Sequence, residues 1–108
     1  MDRRAAAAAY KERKVVPGIY AVRCSAAGLC WVGQALDLAT ICNRVLFMLR
    51  HGAHPNRLLQ ATWSERRGEG FLCEPLERLD EEIPAFARDR ALKERLAHWA
   101  AALSATKI

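Results

Sequence analysis

None of the four cysteines is spaced as a CxxC pair, and the three histidines show no ligand-like spacing to them. That argues against a zinc ribbon or a dithiol redox motif. Nor does the chain open with a secretion signal. Met1-Asp2-Arg3-Arg4 leads into five alanines with no bulky apolar core and then straight into Lys11-Glu12-Arg13-Lys14. Cys24, Cys30, Cys42 and Cys73 are therefore expected as reduced thiols, packed as small hydrophobes in a cytoplasmic protein. Long hydrophobic runs are missing too. The stretch closest to one, from Cys24 to Cys42, is interrupted by Gly28, Gly33, Gln34 and Asp37, which excludes a membrane span. Glycine and proline are few, at 6 and 4, and there is no repeat or Ser/Gly-rich linker, so a low-complexity or collagen-like chain is excluded.

What remains is the pattern of one packed domain: 108 residues, of which 52% are hydrophobic and 27% charged. Seventeen Lys and Arg against twelve Asp and Glu leave 17 − 12 = +5, a charge compatible with a polyanionic partner but not diagnostic of one. Residues 1–14 form a basic extension of high helix propensity, whose one large apolar side chain is Tyr10, and Pro17-Gly18 ends it. Residues 15–108 then form the domain.

Ile19 to Cys24 and Leu29 to Gly33 are rich in Ile, Val, Tyr and Trp, and the Ser25–Gly28 turn between them predicts a hairpin. Asp37 can cap a helix in which Leu38, Ile41, Cys42, Val45 and Leu49 recur at helical spacing through Arg50. The string His51 to Asn56 breaks it, and Asn56 can cap a second helix carrying Leu59 and Trp63. After a loop at Arg66–Gly70, Phe71 to Leu76 reads as a third strand, and Pro75 places it at an edge or a bulge. A last helix follows Pro84, with Leu92, Leu96, Trp99 and Leu103 on one face. The expected class is α+β: a small, three-stranded, mostly antiparallel sheet flanked by helices.

Several of these residues carry a resemblance. Pro17-Gly18-Ile19-Tyr20, with Trp31-Val32-Gly33 on the next strand, resembles the paired signature of the GIY-YIG nuclease family. Asp37-Leu38, Gly52-x-His54, Leu59-Gln60-x-x-Trp63, Gly68-x-x-Phe71 and Leu76-Glu77 follow in family order, so that the resemblance covers residues 17 to 99. It implies phosphodiester cleavage in DNA. A strand tyrosine activates water, a helix arginine neutralises the scissile phosphate, and a glutamate holds one Mg²⁺ or Mn²⁺ ion at the leaving oxygen.

Carried over residue by residue, the resemblance gives Tyr20 the tyrosine role. Trp31 stands where the family has a second tyrosine, and an indole can neither accept a proton nor ligate a metal. Ile41 occupies the usual arginine position, and Arg44, nearly one helical turn further along, is the candidate to replace it; the alternative is a surface arginine or one paired with Asp37. His54 either contacts phosphate and moves a proton or simply hydrogen-bonds its loop. Glu77 matches a structural place at the end of the third strand. Glu94 is the metal-ligand candidate, ahead of Glu81 and Glu82, although it lies opposite the apolar face of the last helix.

Two readings follow. One is a small cytoplasmic metal-dependent DNA endonuclease that uses Tyr20, Arg44 and His54 with the metal on Glu94, and that chooses its site through a homo-oligomer, a partner protein or structure-specific recognition. The other is a catalytically degenerate DNA-binding or regulatory module of the same fold, toward which Trp31 and Ile41 lean.

Overall fold

The computed structural model describes residues 15–108, so the expected N-terminal helix lies outside the described residues. Strand β1 (Gly18–Cys24) turns through Gly28, at φ +65, into β2 (Leu29–Ala35). Helix α1 (Leu38–Arg50) and helix α2 (Arg57–Arg66) follow, then strand β3 (Phe71–Arg78), helix α3 (Ala85–Ala102) and the two-residue strand β4 (Thr106–Lys107). The helix starts are those the sequence implies. The Asp37 carboxylate accepts from Ala39 N at 3.1 Å, and Asn56 Oδ1 accepts from Leu59 N at 3.0 Å, so each cap satisfies a backbone donor with no partner inside its helix.

The sheet runs β3-β1-β2-β4, with the first three strands antiparallel. Pro75 is on the edge strand, where a residue without an N–H is tolerated, and the register shifts beside it: Ile19 faces Glu77 while Tyr20 faces Pro75. Leu76 is the extra residue of that bulge. The fourth strand corrects the expected count of three. After α3 the chain turns at Ser104 (φ 50) and lays Thr106 and Lys107 parallel to Trp31 and Val32, with Ile108 N donating to Val32 O at 2.8 Å. Two residues are too few to show a period in a sequence.

Side-chain alternation along β1 splits the core in two. Tyr20, Val22 and Cys24, with Trp31 and Ala35 of β2, pack against Val45 and Leu49 of α1 and Leu59 of α2. Ile19 packs on the other face against Leu79 and Leu92, with Leu96 and Trp99 of α3 around them. The sheet therefore stands between α1 and α2 on one side and α3 on the other.

One further expectation is corrected. Cys42 of α1 and Cys73 of β3 form a disulfide with Cα atoms 5.6 Å apart, while Cys24 and Cys30 remain thiols. Cys73 sits opposite Val22, on the sheet face that α1 covers, so the fold pairs two residues that are 31 apart in sequence. Four reduced thiols thus no longer argue for a cytoplasmic location. Among the described residues, no helix is long and apolar enough to cross a membrane.

Candidate active site

Tyr20 and Gly33 are direct partners across β1 and β2. The phenol ring lies over the glycine so closely that a Cβ at position 33 would meet Tyr20 Cζ and Oη at 2.6 Å. Tyr20 is 6% exposed, and burial pushes its phenol pKa up, with no cation among the described residues opposing the shift. In that state the hydroxyl is a hydrogen-bonding group and a weak base. Trp31, at 1% exposure, lies beside it in the same core and stacks on Phe71 at 6.4 Å. Its ring is packing material, with no route to a substrate.

Arg44 is exposed on α1, whereas Ile41 turns inward and packs on the cluster around Tyr20. His54 stitches the α1–α2 loop. Its Nδ1 accepts from Asn56 N at 3.0 Å, and its own N donates to Gln60 Oε1 at 3.0 Å. Gln60 Nε2 in turn donates to Leu49 O at 3.1 Å, tying α2 to the end of α1. Partial burial holds the His54 imidazole below its usual pKa, in the neutral form that can accept at Nδ1.

The acidic candidates lie elsewhere. Glu77 is held by α3: Arg95 Nε donates to both carboxylate oxygens at 2.9 Å, Arg95 Nη2 to Oε1 at 2.7 Å, and Trp99 Nε1 to Oε1 at 2.8 Å. The Arg95 guanidinium, more than any other neighbour, keeps this carboxyl below the usual range. Glu94 has a side chain 68% exposed, and its Oε1 lies 3.4 Å from Arg90 Nε. It projects from the side of α3 away from Leu92 and Leu96, and α3 itself covers the sheet face that Tyr20 does not use. Glu81 and Glu82 are exposed in the turn before α3.

Two solved structures share this arrangement of elements. One is the catalytic domain of the homing endonuclease I-TevI, at 25% identity and TM-score 0.68, covering 85% of this chain and 97% of that one. The other is a mutant of the same intron endonuclease domain, at 26% identity and TM-score 0.67, covering 83% and 86%. No family model and no curated protein matches the chain. The fold is that of a GIY-YIG nuclease domain.

On this GIY-YIG framework, the structure brings Tyr20, Gly33 and the α1–α2 pair to one side of the sheet, and leaves Glu94 on the far side of α3. Among the described residues, neither Glu77 nor Glu94 offers the ion implied by the resemblance a matching donor set. Mg²⁺ needs at least one free carboxylate near the phosphate it serves. Glu77 has both oxygens engaged, Glu94 is paired with Arg90 away from the Tyr20 face, and no group of three metal-ligating side chains occurs among the described residues. Sequence reading missed the Arg95–Glu77–Trp99 hub. Its available signal was Arg95 and Trp99 at i, i+4, which places both side chains on one helical flank.

Proposed function

We propose that the protein binds DNA through its GIY-YIG-type fold and does not hydrolyse it. One observation carries this reading: the sheet separates the Tyr20 phenol from Glu94, while Glu77 is consumed by Arg95 and Trp99. Phosphodiester hydrolysis needs a base, a cation and a metal ligand converging on one phosphate within hydrogen-bond reach. Here, among the described residues, no cation lowers the phenol's pKa, and neither Glu77 nor Glu94 faces it.

DNA as the partner is supported by the I-TevI catalytic domains, which are titled as those of a homing and intron endonuclease, and by the net charge of +5. Arg44, exposed on α1, serves in this account as a phosphate contact that positions the duplex or strand. His54 and Gln60 hold the α1–α2 corner rigid so that such contacts stay in register.

The hydrolytic reading keeps one observation of its own, the close Tyr20–Gly33 pair. It would place Mg²⁺ or Mn²⁺ on Glu94 and would require α3 to rearrange on DNA. Fluorescence anisotropy tests the binding that this proposal requires. Binding to labelled DNA should be as tight in a chelator as with Mg²⁺, and should weaken as salt rises, with a log–log slope of several units. Affinity that appears only with metal, or that ignores salt, would overturn the proposal.

A further inference from the structure

From Leu38 to Ser64 the chain contains no Asp or Glu, yet it carries Arg44, Arg50 and Arg57. This stretch is α1, the following loop and α2 as far as Ser64, on the Tyr20 side of the sheet; Asp37 caps its start and Glu65 lies in the last turn of α2. On the other side and its approaches, Asp80, Glu81, Glu82, Asp89 and Glu94 are offset by Arg88, Arg90, Lys93 and Arg95 of α3. The outer face of α1 is thus locally basic, with no acid within the helix to oppose Arg44 and Arg50.

At the centre of the outward face of α1 sits Phe47, 60% exposed. Helical spacing puts Arg44 and Arg50 on its two flanks, with Asn43 one turn before Phe47 and His51 following at the C-cap. The His51 ring lies 4.2 Å from the phenyl ring, and His51 Nδ1 is 2.8 Å from Phe47 O, so the aromatic pair has a fixed placement. A large exposed aromatic costs solvation without contributing to the core, and basic residues around it leave few apolar partners that suit the patch.

We infer that Phe47 is a base-stacking residue and that the outer face of α1 takes an unpaired strand of DNA. The inference rests on the DNA-binding reading above and names the form of DNA preferred. Guanidinium groups match phosphate oxygens, and a phenyl face between them matches a base plane. Regular duplex hides those planes in its stack, so only unpaired or extruded nucleotides can offer them. A second copy of this chain is the poorer occupant, because Arg44, Arg50 and Arg57 would meet their own like charges.

The test compares a labelled single strand of about 16 nucleotides with the same sequence as duplex, by anisotropy at fixed salt. Phe47→Ala should weaken single-strand binding by about tenfold to a hundredfold, the size of one lost base stack. Duplex affinity should move by less than about threefold and the salt slope should stay unchanged, while Phe47→Trp keeps wild-type affinity. Arg50→Ala should weaken both forms and lower the slope by about one. Equal losses on both forms, or none on either, would overturn the stacking role, as would a dimer in sedimentation that Phe47→Ala dissolves. Wild-type protein that binds neither form would remove the DNA-binding reading itself, whereas tight wild-type binding with an indifferent Phe47→Ala removes the stacking inference alone.

Discussion

The Tyr20 ring occupies the space that a side chain at Gly33 would need, with Cζ and Oη both 2.6 Å from the position of a Cβ there. The glycine of the second motif and the tyrosine of the first are thus one packing unit across two strands. Gly33→Ala should destabilise the fold by about 1–3 kcal/mol through overpacking. In a Tyr20→Ala background the same substitution should cost much less. Urea unfolding of the four proteins of this cycle measures the coupling, and additive losses would show that the two side chains do not compete for that space.

Glu77 should give the fold an acid sensitivity of definite sign. Its folded pKa is depressed, chiefly by Arg95, so the stability it contributes is present above its unfolded value and is lost as pH falls through the folded one. Urea midpoints of the wild type should therefore drop below about pH 4.3 more steeply than those of Glu77→Gln. Parallel curves would mean that the hub is not charged as the structure places it.

The His54 imidazole is depressed by burial, and its neutral form accepts from Asn56 N. A depressed base contributes stability above its unfolded value, near pH 6.5, and loses it as pH falls. Wild-type protein should lose stability between pH 7 and about 5 faster than His54→Gln does, as read by thermal unfolding at fixed salt.

Alkylation of unfolded, unreduced protein should label two cysteines, Cys24 and Cys30, and spare Cys42 and Cys73. Replacing Cys42 and Cys73 by Ala should cost about 2–4 kcal/mol, as expected for a bond that closes a loop of this length. Four labelled thiols in the unreduced sample would contradict the pairing.

Much of the fold was legible because local signals agree with tertiary packing. Asp37 and Asn56 announce their helices, Ser25–Gly28 announces its hairpin, and Pro75 marks an edge strand and its bulge. β4 was hidden because two residues carry no period, and the Cys42–Cys73 pair because nothing local links an α1 residue to one on β3. For the candidate site, the Tyr20 and Gly33 positions were readable from their motifs. The side of the sheet each acid faces was not, since it depends on where α3 packs. Glu94 was recognisable from sequence as opposite Leu92 and Leu96, but not as lying across the sheet from Tyr20. Arg95 drew no notice, because its partner Glu77 is on another element and only the folded chain brings them together.

The central claim is that binding persists while hydrolysis is absent, because the sheet divides Tyr20 from Glu77 and Glu94. The most direct measurement is a single-turnover cleavage assay with excess protein on single-stranded, duplex and branched DNA, with Mg²⁺ and then Mn²⁺. Each sample is first shown to be bound. The account predicts that every DNA form stays intact in wild type, as it does in Tyr20→Phe. Metal-dependent products that appear with wild type and vanish with Tyr20→Phe would contradict it.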